Sequence, residues 1–214
     1  MNIVVPVKIV PDLVEELAID ASGTALDTSW LRLIINEFDD HAMEQALLLK
    51  EKHGGKVTVV AMDAPELDEA LFMAYAKGAD RVAKLTGELS GVQSLASARL
   101  FAAFLKQQGD PLPADTLVLV RSQAIDDLEG EIGPFLADLL GVPYVGVVTG
   151  VVPEGATVKV TKEFAGGLRG EFALPMPAVL GIQSAEKPPR YVPIATVRAA
   201  LKASTLETVD VTAE

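Results

Sequence analysis

The chain has 214 residues, with 18 Lys+Arg against 30 Asp+Glu, a formal charge of −12 and no cysteine. The shortage of basic residues argues against binding a nucleic-acid backbone, and zero cysteine excludes disulfides, thiolate metal sites, Fe–S ligation and a redox dithiol. A 50% hydrophobic fraction excludes a disordered chain. The N-terminus lacks a basic signal-peptide segment, and no apolar run approaches the ~20 residues of a membrane helix. A soluble, cytoplasmic protein is expected (in a eukaryote, one of the mitochondrial matrix), without membrane insertion.

The first element is a β-branched run, Asn2-Ile-Val-Val-Pro-Val-Lys8, which reads as a buried strand. In the polar stretch that follows, residues 17–20 and 25–27 are placed to pair as a small hairpin. Asp39-Asp40 supply caps for a helix whose stripe is Met43, Ala46 and Leu47, ended by Gly54-Gly55. Residues 57–62 form a second strand. Pro65 opens a helix with Leu67, Ala70, Leu71 and Ala74 on one face and Gly78 as its stop. Residues 81–86 are a third strand, and Ala96, Leu100, Phe101, Phe104 and Leu105 make a third helical stripe closed by Gly109. Residues 116–120 are a fourth strand, and Ile132, Phe135, Leu136, Leu139 and Leu140 a fourth stripe ending at Gly141. This alternation specifies an α/β fold: an open, mainly parallel sheet with helices on both faces. Residues 145–152, 157–164, 169–174 and 178–182 then read as antiparallel strands added at the sheet edge in the C-terminal third. A short helix is expected near 196–202. The whole of 1–214 is read as one domain, with 183–214 a tail that contacts a partner.

Open parallel sheets bind ligands at the carboxyl ends of their strands, where strand order reverses. The most unusual loop there is Arg121-Ser-Gln-Ala-Ile-Asp-Asp-Leu-Glu-Gly-Glu-Ile-Gly-Pro134. Its glycines admit a close backbone approach, and the helix N-terminus it feeds suits an anion such as phosphate. A connecting loop whose acids complement the helix dipole accounts for the same residues. Neither a Walker A motif nor GxGxxG is present. The two histidines, His41 and His53, lie 12 apart on one helix, which is no zinc spacing. His41 is expected to be solvated, and His53 to complement a helix C-terminus. With no GxSxG elbow either, no catalytic constellation and no metal site is expected. Trp30 is expected to be packed. Lys8 reads as a buried functional amine, a phosphate partner or a snorkelling strand end. These absences favour a binding, carrier or subunit role.

The order of segments resembles the β subunit of electron transfer flavoproteins over nearly the whole chain. Val7-Lys8, Asn36-Glu-Phe-Asp-Asp40, Ala76-Lys-Gly-Ala-Asp-Arg81, Gln123-Ala-Ile-Asp126, Gly133-Pro134, Phe164-Ala-Gly-Gly-Leu168 and Lys187-Pro-Pro-Arg-Tyr191 carry the resemblance. It implies a heterodimer with a larger α subunit that holds most of an FAD, the β subunit supplying one wall. It also implies an AMP buried in the β subunit, or a second FAD in electron-bifurcating members. Electrons would pass from a flavin dehydrogenase to a quinone oxidoreductase or another acceptor, the flavin carrying them and the protein positioning it.

The resemblance also assigns cofactor positions. Pro6 and Lys8 fall on the adenine-side wall, Asn36 near the adenosine, and Ala61, Met62 and Asp63 beside the adenine. Gln123, Ala124, Ile125 and Asp126 begin the phosphate loop, which continues through Glu129, Gly130, Glu131 and Ile132. Leu13 stands where many members place a Tyr against the flavin. Glu129 replaces a hydroxyl donor and Glu131 a Gln amide, so an empty site or a neutral ligand stands beside AMP as an alternative. The segment before Pro-Arg-Tyr, Gln183-Ser-Ala-Glu-Lys187, lacks the family's Leu anchor for dehydrogenases, and the chain stops where relatives extend an arm towards the α subunit. Two further readings remain: a nucleotide-binding or structural subunit of the same fold without electron transfer, and an adenylate-transferring hydrolase.

Overall fold

A computed structural model describes residues 1–87 and 93–211. Its centre is a nine-stranded sheet. The strands are β1 (Asn2–Val7), β4 (Lys56–Met62), β5 (Arg81–Thr86), β6 (Thr116–Arg121), β7 (Tyr144–Glu154), β8 (Thr157–Glu163), β9 (Arg169–Pro175), β10 (Ala178–Ile182) and β11 (Glu207–Asp210). Two short strands, β2 (Ile9–Pro11) and β3 (Leu33–Ile35), pair antiparallel beside it. The sheet order is β11-β5-β4-β1-β6-β10-β7-β8-β9.

Alternation along each strand builds two cores. Ile3, Val5 and Val7 of β1 face one side, together with Val57, Val59 and Ala61 of β4. Helices α1 (Glu37–His53) and α2 (Leu67–Lys77) cover that side through Met43, Ala46, Leu47, Leu67 and Leu71. Val4 and Val60 face the other side, beneath α3 (Ser94–Lys106) and α4 (Ile132–Leu140), which contribute Phe101, Phe104, Ile132 and Leu136. The expected mainly parallel sheet with helices on both faces is what forms. Among the described residues, no helix is long and apolar enough to cross a membrane.

The C-terminal third departs from expectation in detail. β7, β8 and β9 do pair antiparallel. β10, however, is parallel to both neighbours and lies inside the sheet, between β6 and β7. All five of its residues are buried, as a strand covered on both faces requires. The tail forms α5 (Ile194–Ala203) where a helix is expected, and then β11, which extends the opposite edge by pairing parallel to β5. Residues 212–214 of the expected partner-contact tail lie outside the described residues. The hairpin expected over 17–27 is reduced to one antiparallel bridge, Ile19 with Leu26. Trp30, expected to be packed, is 91% exposed: among the described residues nothing buries it.

Helix α1 begins two residues before the expected caps. Asn36 occupies the N-cap position without a side-chain cap bond; its amide instead donates to the Gln123 carbonyl at 3.1 Å. Asp39 is not a cap but a fully buried carboxylate. Asp40 pairs with the nearly buried Lys77. His41 is not simply solvated, since its Nδ1 accepts the Ala185 N–H at 3.2 Å.

Candidate functional site

The chain reverses its direction of travel across the sheet at β1. β4 and β5 lie to one side and β6 to the other, so a crevice opens beyond the carboxyl ends of β1 and β6. A cleft of about 580 Å³ occupies that place, within the range of small-ligand sites. Lys8 lines it at the end of β1, Met62 at the end of β4 and Arg121 at the end of β6. The first turn of α3 contributes Ser94, Leu95 and Ser97, the loop after β6 adds Asp126, Asp127, Glu129 and Glu131, and Phe101 and Phe135 supply apolar surface.

The loop is fixed by short-range bonds. Ala124 and Asp127 exchange backbone hydrogen bonds of 3.0 and 3.1 Å, closing a tight turn. Gly130 follows at φ +65, and a Cβ there would lie 2.1 Å from the Ser122 carbonyl oxygen. Only glycine suits both that conformation and that space. From the strand side, Lys8 Nζ donates to both oxygens of Asp126 at 2.7 and 2.6 Å, tying the loop to β1.

Beneath the loop lies a buried polar cluster. Asp39 accepts the Lys8 backbone N–H at 3.1 Å. Arg121 sits between two carboxylates, its Nη1 3.8 Å from Asp39 and its Nη2 3.9 Å from Asp127. Burial pushes the Asp39 carboxyl up to about 6, against the pull of the Arg121 charge and the Lys8 amide. Asn36 Oδ1, Asp39 Oδ1, Arg121 Nε and Nη1, and Asp127 Oδ2 are all buried without a hydrogen-bond partner among the described residues.

The cofactor positions carried by the resemblance divide accordingly. Lys8, Met62, Asp126, Glu129 and Glu131 line the cleft. Pro6, Ala61, Ala124, Gly130 and Ile132 are buried in its supporting walls, and Asn36 is buried against Gln123. Ile125 is partly exposed on the turn. Asp63 lies apart from the cleft, 3.5 Å from Lys84. Leu13 is exposed on the 12–32 segment, near Val14 in sequence, and does not line the cleft. Sequence reasoning included Arg121 and Asp127 in the candidate loop but gave neither a role of its own, and it missed the first turn of α3. The available signal for Arg121 was a charged residue ending the otherwise apolar strand Thr116-Leu-Val-Leu-Val-Arg121.

The family model for the electron transfer flavoprotein domain matches residues 25–214. An electron transfer flavoprotein subunit beta from Clostridium acetobutylicum is 39% identical over 168 residues, covering 78% of this chain and 62% of that protein. Protein FixA from Azorhizobium caulinodans is 32% identical over 173 residues, covering 79% of this chain and 61% of that protein. A subunit beta from Bradyrhizobium diazoefficiens is 32% identical over 205 residues, covering 94% and 79%. The chain thus spans about three-fifths of the first two relatives. On the extent of the family match and on these identities, the chain belongs to the electron transfer flavoprotein β-subunit family.

Proposed function

We propose that this chain is the β subunit of a two-subunit electron carrier. An α subunit holds most of an FAD, and this chain supplies one wall of the flavin site and binds AMP in the cleft beyond β1 and β6. A flavin dehydrogenase donates the electrons, and a quinone oxidoreductase or another acceptor takes them. The bound flavin supplies the redox chemistry; the chain's own residues bind, orient and tune it electrostatically.

The observation that carries this reading is the cleft at the strand-order reversal of a family member. Its volume suits a mononucleotide, and the fit is supported by Arg121, a buried cation lining that cleft whose Nε and Nη1 have no hydrogen-bond partner among the described residues. Leu13, Val14 and Trp30 expose apolar surface on one segment, as a wall completed by another subunit would. Co-expression with a candidate α subunit tests the reading. A yellow 1:1 complex whose flavin absorbance bleaches with dithionite is expected; a colourless, stable homo-oligomer refutes it.

One observation favours a second reading, a nucleotide-binding subunit without electron transfer: four carboxylates, Asp126, Asp127, Glu129 and Glu131, line the cleft against two cations. A complex that releases nucleotide but no flavin on denaturation would support that reading over the first.

A further inference from the structure

The two cations lining the cleft, Lys8 and Arg121, differ in how closely a carboxylate engages them. Lys8 is engaged by Asp126 at 2.6 Å. Arg121 is 3% exposed, and its Nε and Nη1 find no partner among the described residues. Its two nearest carboxylates, at 3.8 and 3.9 Å, stand beyond the 2.7–2.9 Å of a charge-assisted hydrogen bond. A buried guanidinium with unmade hydrogen bonds is held in a costly state that a closer anion relieves.

The surroundings favour an anion with several acceptor oxygens. The first turn of α3 carries no acidic residue, and its Ser94 and Ser97 line the same cleft. First-turn N–H groups of a helix lack intrahelical partners and attract negative charge. The planar fork of an arginine matches phosphate oxygens in pairs. Asp127, the carboxylate facing Arg121 from the loop, has an unpartnered oxygen of its own and belongs to the turn closed by Ala124.

We propose that Arg121 is the phosphate-selecting residue of this cleft. The phosphate monoester of an adenine nucleotide takes the guanidinium N–H groups, in competition with the Asp127 carboxylate. Asp39 remains behind Arg121 as its fixed counter-charge. The cleft therefore discriminates nucleotide from nucleoside through one side chain, although Glu129 and Glu131 stand at its rim. This inference rests on the nucleotide reading of the cleft given above.

Calorimetric titration of the full chain, at low ionic strength and neutral pH, with AMP, adenosine and inorganic phosphate separates the two claims. AMP is expected to bind at least ten-fold tighter than adenosine. Arg121→Gln is expected to bring the two affinities together, and Asp127→Asn to widen the ratio several-fold by removing the competitor. The opposite directions keep the test decisive even where Arg121→Gln fails to fold. Equal binding of AMP and adenosine by the wild-type chain, or an unchanged ratio in Asp127→Asn, overturns the role of Arg121 and leaves the nucleotide reading intact. No binding of either compound overturns the nucleotide reading and this inference with it. Inorganic phosphate binding as tightly as AMP also overturns the role of Arg121 in nucleotide selection, because the site would then be a simple anion site.

Discussion

Arg190 closes on Glu44 with three of its N–H groups. The backbone N–H donates at 3.0 Å, Nε at 2.9 Å and Nη2 at 2.9 Å, while Nη1 reaches Glu51 at 2.6 Å. Glu44 is buried on α1, whereas Arg190 keeps part of its surface in water. With His41 and Gln45 accepting the Ala185 and Glu186 N–H groups, this pair straps residues 185–190 onto α1.

The unequal burial makes the two deletions unequal. Arg190→Ala strands a buried carboxylate, and a loss of roughly 3 kcal/mol is expected. Glu44→Gln leaves an arginine that retains Glu51 and solvent, with a loss of about 1 kcal/mol. Urea unfolding of the two variants checks this, and equal losses contradict the burial argument.

What the sequence revealed and what it hid have the same physical origin. The runs 57–62 and 116–120 are apolar and rich in β-branched residues, so their place as buried parallel strands was legible. Lys8, Met62 and Asp126 were assigned to the site by the family resemblance, and they do line the cleft. β11, Glu-Thr-Val-Asp, carries no buried-strand signal and exists because an open edge of β5 accepts it. The interior position of β10 depends on β7 pairing on its far side, a contact no local pattern encodes. Arg121 was read as the start of a loop because its counter-charges, Asp39 and Asp127, come from a helix and a turn elsewhere in the chain. Trp30 shows the reverse error: an aromatic in an apolar stretch implies packing only where the chain supplies a covering surface.

Asp39 gives the chain a pH signature. Burial raises its pKa from 3.8 to about 6, so the folded state holds this proton more tightly than the unfolded chain does. The contribution to stability is full below 3.8 and is lost as pH rises through about 6. A shift of that size corresponds to at most ~3 kcal/mol. Carboxyl-carbon NMR should place the Asp39 midpoint near 6, and the stability advantage of wild type over Asp39→Asn should shrink between pH 4 and 7. An Asp39 that titrates with the exposed carboxylates contradicts the assignment.

The edge strand β11 is clipped by a two-bond fork. Arg81 donates from Nε and Nη2 to the Glu207 oxygens at 2.6 and 2.7 Å. This contact holds the Glu207 carboxyl below its ordinary value. Both groups are partly exposed, so Glu207→Gln should cost no more than ~1 kcal/mol globally. Local opening is the more sensitive readout. Amide exchange in residues 208–210 should accelerate several-fold in the variant, while amides of β1 and β4 stay protected.

Gly130 and Gly141 share a φ of +65 but differ in their surroundings. A Cβ at Gly141 meets no atom within 4 Å, whereas one at Gly130 meets the Ser122 carbonyl oxygen at 2.1 Å. Gly141→Ala therefore costs only the left-handed backbone term, ~1–2 kcal/mol. Gly130→Ala adds a backbone collision that the turn cannot absorb by a rotamer change, so the loop must move away from Ser122. Its stability loss should exceed that of Gly141→Ala, and only Gly130→Ala should change AMP binding, because only that turn forms part of the cleft wall. Thermal unfolding with and without AMP compares the two variants directly. Equal effects of both substitutions would show that the 122–130 turn does not shape the site.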